Sequence, residues 1–230
     1  MTNKLFAVVP AAGIGSRMQA DRPKQYLDLG EQTILEHTLQ RLLSFSLIER
    51  IAVPVAAHDD YFDSLPIAKH ASIQTCMGGS ERFESVLNGL NQLLKSGAQE
   101  QDWVMVHDAA RPCITQADLQ NLYDARSEQG SILGVQVRDT MKRTDDNAFV
   151  LSTVERENLW HALTPQLAPI GVLKTCIDQC VEKGKSVTDE ASALEFCGLQ
   201  PKMVAGHPSN IKVTRPDDLV MAQAFIKEIQ

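Results

Sequence analysis

The apolar run at residues 5–9 and the loop that follows it constrain this chain more than any other feature. Five consecutive apolar residues predict a buried strand, and the loop 10–17 (PAAGIGSR) consists mostly of small residues. Backbone amides that no bulky side chain covers can approach a ligand closely and bind phosphate oxygens. Arg17 and Lys24 bring two cations to the same place. The sequence therefore predicts a loop that binds a nucleoside triphosphate.

Two better-known phosphate-binding loops are excluded. A P-loop needs Gly, four residues and then Gly-Lys-Ser or Gly-Lys-Thr, and this string is absent from the chain. A dinucleotide-binding loop needs a third glycine three residues after the second, where this chain has Met18, so a Rossmann oxidoreductase is disfavoured. The longer pattern G-x-G-x-R, followed by Pro23 and Lys24, resembles the signature of nucleotidyltransferases that make sugar nucleotides and related activated alcohols.

Composition narrows the classes of protein that remain. The 230 residues are 43% hydrophobic and 22% charged, as expected for one soluble globular domain. The net charge of −7 argues against a nucleic-acid binder, and no run of about 18 apolar residues predicts a membrane span. The five cysteines are odd in number and form no Cys-x-x-Cys, which disfavours disulfides and zinc. With no signal-peptide pattern at the start, we expect a cytoplasmic protein.

Strand and helix patterns alternate along the chain. Further strands are predicted at 51–55, 73–76, 103–107 and 131–137, and helices at 33–43, 83–94, after Thr115, at 170–181, after Thr188 and from Pro216. Alternation of this kind implies right-handed crossovers and a sheet covered on both faces. We therefore predict an α/β fold, a Rossmann-like, mostly parallel twisted sheet with helices on both faces, in a single domain spanning 1–230.

The alternation breaks at 138–156. A turn cluster at 144–147 separates two β-prone runs, which predicts a projecting β-hairpin arm. A lone hairpin is barely stable in water, so the arm must pack against something, and a second copy of the chain is the natural candidate. We therefore expect a homodimer formed through the 138–156 arm.

Three polar or glycine-rich segments follow predicted strands, at 13–24, 78–85 and 107–111. In open α/β sheets ligands bind at the carboxyl ends of the strands, so the three segments predict one shared site. Asp108 comes directly after a buried strand, where a carboxylate is costly unless it is paired or binds a cation. Mg²⁺ suits this position, because it prefers hard oxygen ligands and takes the rest of its shell from phosphates and water. A helix cap or a salt bridge to Arg111 is the alternative interpretation of Asp108.

Eight strings in this order resemble the 2-C-methyl-D-erythritol 4-phosphate cytidylyltransferase family. They run nearly end to end: 10–17 (PAAGIGSR), 23–26 (PKQY), 78–82 (GGSER) with Ser85, 107–112 (HDAARP), 138–142 (RDTMK), 159–166 (LWHALTPQ), 188–192 (TDEAS) and 210–216 (NIKVTRP). The resemblance implies the nucleotidyltransferase fold and a reaction in which CTP and methylerythritol phosphate give 4-diphosphocytidyl-methylerythritol and pyrophosphate, with Mg²⁺ or another divalent cation.

The resemblance also implies a role for each matching residue. Arg17, Lys24, Arg156 and Lys212 would be catalytic. Arg17 and Lys24 would hold the triphosphate and the charge that builds at the α-phosphorus, and Arg156 and Lys212 match the family's residues for methylerythritol phosphate. The nucleotide would be bound by Pro10, Ala11, Ala12, Gly13, Gly15, Gly79, Arg82, Ser85 and Ala109. The phosphorylated acceptor would be bound by Asp108, Arg111, Thr140, Thr164 and Thr188, with Asp108 also holding the metal. Thr140 and Arg156 would come from the neighbouring subunit's arm. His107 and His161 are interpreted as structural, because a phosphate nucleophile is already ionised at pH 7.

Two alternatives stay open at the level of sequence. Ribitol 5-phosphate cytidylyltransferases share the fold and much of the loop chemistry, although the strings at 138–142 and 159–166 favour methylerythritol phosphate. A nucleotide-binding regulator without turnover is the other alternative. The presence of Arg17, Lys24, Asp108 and Lys212 together argues against it.

Overall fold

The computed structural model describes residues 3–13, 18 and 21–229. The strands are β1 (Leu5–Val8), β2 (Asp28–Leu29), β3 (Gln32–Thr33), β4 (Ile48–Val55), β5 (Ile73–Met77), β6 (Trp103–Val106), β7 (Ser131–Gln136), β8 (Met141–Thr144), β9 (Val150–Val154), β10 (Trp160–Pro169) and β11 (Lys202–Ala205). The α-helices are α1 (Ile34–Leu43), α2 (Arg82–Lys95), α3 (Gln116–Asp124), α4 (Ile170–Glu182), α5 (Glu190–Phe196) and α6 (Pro216–Ile229).

Seven strands form the central sheet, in the order β11-β7-β10-β6-β1-β4-β5. Neighbouring strands from β6 through β1 and β4 to β5 are parallel, and β7 pairs with β11 in parallel as well. Only β10 runs antiparallel, between β6 and β7. The predicted α/β fold with a mostly parallel sheet is confirmed, while β10 and β11 are strands that the sequence patterns did not indicate.

Apolar residues of the strands alternate between the two faces of the sheet, as the two-residue period of a strand requires. Leu5 and Ala7 of β1 join a core cluster that contains side chains of α1 and α3. Phe6 and Val8 of β1 join a second cluster, on the other face, that contains side chains of α2, α4 and α5. Helices therefore cover both faces of the sheet, as predicted.

Helix starts agree with the sequence signals. Thr33 and Glu36 form a reciprocal capping box at the start of α1, and Thr115 and Asp118 form another at the start of α3. Pro216 is the first residue of α6, a position where its missing N–H costs nothing. No helix in the described ranges is both long and apolar enough to cross a membrane.

The 138–156 segment contains the predicted hairpin, formed by β8 and β9. Asp145 closes its turn by accepting hydrogen bonds from the backbone N–H groups of Asn147 and Phe149. Every residue from 138 to 153 is exposed, including the large apolar side chains of Phe149 and Leu151, which are 71% and 64% exposed. The hairpin projects from the sheet with apolar groups in solvent.

Candidate functional site

A cavity of about 310 Å³ opens where the loops after β1, β5 and β6 meet. These loops follow the carboxyl ends of parallel strands, which is the edge where the sequence predicts one shared site. The cavity is lined by Pro10, Ala11, Ala12, Gly13, Lys24, Gln25, Gly79, Ser80, Glu81, Arg82, Ser85, Asp108, Ala109, Ala110 and Lys212. The three predicted segments therefore do lie together, and Lys212 joins them from the segment that precedes α6.

The loop after β1 is fixed by its backbone and by one buried side chain. The backbone N–H of Ala11 donates to Pro54 O, which continues the pairing of β1 with β4. The amide Nε2 of Gln25 donates to Ala11 O at 2.6 Å and to Gly13 O at 3.0 Å. Because Gln25 is buried and satisfies two loop carbonyls, it holds the small-residue loop against the cavity. Gly15 and Arg17 lie outside the described residues.

The glycines after β5 are required by close packing. A Cβ atom on Gly78 would lie 2.4 Å from the Cβ of Ala12, and one on Gly79 would lie 2.2 Å from the Cβ of Glu84. Ser85 strengthens this turn, because its hydroxyl oxygen accepts a hydrogen bond from the N–H of Gly79 at 3.0 Å. The turn after β5 is therefore tied to the loop after β1 and to α2, and Gly79 still lines the cavity.

Asp108 is the electrostatic centre of the site. Its carboxylate lies 3.2 Å from Nε of Arg82, 3.2 Å from Nε of Arg111 and 3.0 Å from Nζ of Lys212. Burial alone would raise the pKa of Asp108, but Arg82, Lys212 and Arg111 outweigh burial and hold the pKa far below its usual range. Asp108 is therefore an ionised carboxylate, and the salt bridge to Arg111 expected as an alternative is present beside two further ion pairs.

Arg82 is held from two sides. Its two terminal nitrogens donate to the two carboxylate oxygens of Glu190 at 2.6 and 3.1 Å, while Nε donates to Asp108. A planar guanidinium bound by two carboxylates in this way has its orientation fixed. Lys24 also lines the cavity, and its ammonium group donates to Val213 O at 3.1 Å.

The segment after β6 is anchored beneath the cavity. The hydroxyl oxygen of Thr164 accepts a hydrogen bond from the backbone N–H of Asp108 at 3.0 Å and lies 2.9 Å from Nδ1 of His107. Nε2 of His107 lies 3.1 Å from Arg111 O, and burial lowers the pKa of His107 to about 4. His107 is therefore neutral at pH 7 and holds the turn around Asp108, as the structural reading of this residue predicts.

Arg111 and Asn210 complete this support. Arg111 is buried and donates through a terminal nitrogen to Asn210 O at 2.7 Å. The amide nitrogen of Asn210 donates to Thr164 O at 2.7 Å. Arg111 lies behind Asp108 and is not among the residues that line the cavity. The structure therefore gives no support to its predicted contact with substrate.

Three predicted acceptor-binding or catalytic residues lie away from the cavity. Thr140 and Arg156 line a shallow cleft at the base of the arm, where the Arg156 guanidinium donates to Arg138 O. Thr188 is exposed just before α5. The chain therefore places one group of predicted site residues around Asp108 and another on exposed segments. His161, the second histidine read as structural, is also exposed.

Sequence reasoning missed three residues that shape the site, Gln25, Glu190 and Asn210. Each lies inside one of the strings that carried the resemblance, at 23–26, 188–192 and 210–216. Their partners are not neighbours in the sequence: those of Gln25 are 12 and 14 positions away, and Arg82 is 108 positions from Glu190. The signal in the sequence that could have pointed to these residues was their place inside the matching strings.

Asp108, the predicted metal ligand, has one acceptor position that the cations around it leave unused. An ionised carboxylate offers about four acceptor positions, of which the three cations around Asp108 use three. No group of three or more His, Cys, Asp or Glu side chains in the described part of the chain is arranged to hold a metal ion. The remaining position on Asp108 can therefore supply one ligand, and phosphate and water oxygens would have to supply the others.

The packing at Gly78 leads to a stability prediction. We expect Gly78→Ala to lower the free energy of unfolding by about 1–3 kcal/mol, because the new methyl group overpacks against Ala12. Gly13→Ala is the matched control, since no atom of the described residues lies within 4 Å of a Cβ at Gly13. Urea unfolding followed by circular dichroism measures both variants, and equal stabilities would contradict the close packing.

The chain matches known proteins over nearly its full length. A family model described as 2-C-methyl-D-erythritol 4-phosphate cytidylyltransferase matches residues 5–228. Proteins with that name from Tolumonas auensis and Serratia proteamaculans are 56% and 51% identical to this chain. The alignments cover 97% and 98% of this chain and 96% and 95% of those proteins.

Solved structures agree with the sequence relatives. A crystal structure of 4-diphosphocytidyl-2C-methyl-D-erythritol synthase superposes with a TM-score of 0.85 at 34% identity, covering 98% of this chain and 100% of that one. The 2-C-methyl-D-erythritol 4-phosphate cytidylyltransferase of Francisella tularensis superposes with a TM-score of 0.83 at 38% identity, covering 96% of this chain and 99% of that one. The chain therefore belongs to the 2-C-methyl-D-erythritol 4-phosphate cytidylyltransferase family of nucleotidyltransferases.

Proposed function

We propose that this protein transfers a cytidylyl group from CTP to 2-C-methyl-D-erythritol 4-phosphate. The products are 4-diphosphocytidyl-2-C-methyl-D-erythritol and pyrophosphate, in the non-mevalonate route to isoprenoid precursors. The observation that carries the proposal is the cavity in which the small-residue loop 10–13 faces the cations gathered around Asp108, in a chain of this family.

The reaction requires neutralisation more than proton transfer. An oxygen of the acceptor phosphate attacks the α-phosphorus of CTP, and pyrophosphate leaves with the electrons of the broken P–O bond. Both reactants are anions, so catalysis consists mainly of holding them in line and cancelling their charge. No general base is needed, and the buried, neutral His107 is occupied by hydrogen bonds to Thr164 and Arg111.

The nucleotide half of the site is proposed to lie in the cavity. Backbone groups of loop 10–13, together with Gly79, Ser85, Arg82 and Ala109, would hold the nucleoside and its α-phosphate, and all of them line the cavity. Lys24 would hold the triphosphate, joined by Arg17 from the same loop. Lys212 lines the cavity beside Asp108, at a position suited to neutralise the charge that develops during transfer.

The acceptor is proposed to bind next to Asp108 and Arg111. Thr188, exposed before α5, would supply a hydroxyl group for the phosphorylated polyol. Thr164 would act by holding the backbone of Asp108, since its buried hydroxyl group is already bonded to Asp108 and His107. Thr140 and Arg156 would reach the acceptor from the arm of a neighbouring subunit, because within one chain they lie apart from the cavity.

We propose Mg²⁺ as the cofactor, with the Asp108 carboxylate as its protein ligand and the other ligands coming from phosphate and water. The cation would supply Lewis-acid neutralisation of the triphosphate oxygens. Asp108 lines the cavity and is ionised, which supports this assignment.

Pyrophosphate release tests the proposed function directly. The protein is incubated with CTP and Mg²⁺ and with methylerythritol phosphate, ribitol 5-phosphate or no acceptor. Release only with methylerythritol phosphate is the expected result. Release with ribitol 5-phosphate instead would keep the nucleotide site and overturn the acceptor. CTP binding without release in any mixture would favour a regulator over an enzyme.

Removal of a loop cation should slow turnover. We expect Arg17→Ala and Lys24→Ala each to lower kcat about 10²–10³-fold, the usual cost of losing one preorganised charge-stabilising group. Lys69→Ala removes an exposed lysine and serves as the control. Near-normal kcat in both loop variants, measured as pyrophosphate release, would remove these residues from the mechanism.

The metal-ligand role of Asp108 has its own test. We expect Asp108→Asn to raise the Mg²⁺ concentration needed for half-maximal activity about tenfold or more, because a neutral amide is a poorer ligand than a carboxylate. Asp60→Asn is the control at an exposed position. An unchanged Mg²⁺ dependence in Asp108→Asn would contradict the ligand role.

We propose that the protein is a homodimer whose arms complete each other's sites. Support comes from the arm's exposed apolar side chains, Met141, Phe149, Val150 and Leu151, which need a partner surface. The prediction is a dimer by light scattering. A concentration-independent monomer with full activity would rule out the shared site.

Mixing two inactive variants tests which subunit supplies Arg156. A heterodimer of an Arg156→Ala subunit and a Lys24→Ala subunit contains one intact site if arms are shared between subunits. Random reassociation of the two variants should then recover about a quarter of wild-type activity. No recovery, with heterodimers verified by mass, would place Arg156 in the site of its own chain.

A cytoplasmic location is proposed as well. It is supported by the five cysteines, all of which are free thiols in the structure, since a reducing compartment keeps thiols in that state.

A further inference from the structure

Besides Asp108, Arg82 binds a second buried carboxylate, that of Glu190, which the proposed reaction does not use. Glu190, the first residue of α5, is 2% exposed. Its carboxylate accepts hydrogen bonds from both terminal nitrogens of Arg82, the first residue of α2. Among the described ion pairs, Arg82 is the cation that compensates Glu190. A buried carboxylate is costly without such a partner, so the two side chains fix each other's position.

The turn that carries Glu190 is also fastened to the sheet. Gln166 of β10 donates to the carboxylate of Asp189 at 2.9 Å and accepts from the backbone N–H of Ala191 at 2.7 Å. Ser192 and Asp189 close a capping box over the same turn. The turn 188–192 is therefore held by β10 on one side and by Arg82 on the other.

Thr188 stands on this turn, two residues before Glu190. Its backbone N–H donates to the hydroxyl oxygen of Ser192 at 3.1 Å, so Thr188 belongs to the closed cap rather than to a loose loop. Thr188 and Glu190 therefore stand on one closed turn, and Glu190 holds the guanidinium of Arg82, which lines the cavity. The turn thus joins the proposed acceptor-binding and nucleotide-binding halves mechanically.

We propose that Glu190 is a positioning residue that couples the acceptor subsite to the nucleotide subsite. This inference rests on the proposed function. An acceptor bound to Thr188 and a nucleotide bound to Arg82 favour the same position of the turn 188–192. Binding of either ligand therefore raises the affinity of the protein for the other. Such coupling is reciprocal by linkage.

The test measures binding without turnover. The probe is a CTP analogue with a methylene group between the α- and β-phosphorus atoms, which cannot release pyrophosphate. Its Kd is measured by calorimetry with and without methylerythritol phosphate. In the wild-type protein, the acceptor should lower this Kd by a factor of about 5 or more, the low end of coupling between linked sites.

Glu190→Gln keeps the shape of the side chain and removes its charge. We expect it to raise the Kd of the analogue alone on the order of tenfold and to abolish the effect of the acceptor on that Kd. Glu195→Gln, at an exposed position on the same helix, should leave both quantities unchanged. Glu190→Asp, which keeps the charge, should restore part of the affinity and provides a second variant if Glu190→Gln does not fold.

Two results would overturn the inference. One is a wild-type Kd that does not depend on the acceptor, in a protein whose pyrophosphate release with methylerythritol phosphate is normal. The other is a folded Glu190→Gln, or a Glu190→Asp in its place, with wild-type Kd and wild-type acceptor dependence. Failure of the proposed function is a different observation, since it appears as absent pyrophosphate release in the wild-type protein.

Discussion

The site depends on the ionised carboxylate of Asp108, buried among three cations. Arg82, Arg111 and Lys212 would repel one another if they were gathered without it, and each comes from a different part of the chain. The three cations face two carboxylates, Asp108 and Glu190, so the cluster retains one net positive charge beside the cavity. In a protein of net charge −7, that local excess makes this cavity attractive to anions.

The fold supplies this arrangement through the edge where its parallel strands end. Asp108 follows β6, Arg82 opens α2 after β5, and Lys212 lies between β11 and α6. The cations are held by carboxylates and backbone carbonyls before any ligand arrives, as in the contact of Arg111 with Asn210 O. Preorganised charge of this kind needs little rearrangement when phosphates enter, which is the property that phosphoryl-transfer sites require.

The sequence predicts the helices and the parallel strands other than β11 because their signals are local. Thr33 and Thr115 open helices through capping boxes whose partners are three residues away, and the strands 103–107 and 131–137 contain the short, mostly apolar runs 103–106 and 132–135. The antiparallel β10 has no such signal. Polar residues and Pro165 interrupt it, and its place between β6 and β7 is decided by pairing across the sheet.

The same distinction applies to the site. The residues of loop 10–13, Lys24 and Asp108 could be proposed from strings in which loop, charge and strand end are adjacent in sequence. The roles of Gln25 and Glu190 could not be proposed, although both lie inside matching strings, because these roles come from partners that only the folded chain brings near. Gln25 reads as a polar residue in a loop until its amide is seen to hold the carbonyls of Ala11 and Gly13.

Burial divides the predicted site residues into two kinds. Those around Asp108 are fixed by ion pairs and buried hydrogen bonds, whereas Thr140, Arg156 and Thr188 lie on exposed segments. The turn 188–192 carries residues of both kinds. Its exposed Thr188 is bonded to Ser192 of the helix cap, and its buried Glu190 is paired with Arg82. A change at Thr188 would therefore act on the charged cluster through this turn, which Gln166 also ties to β10 of the sheet.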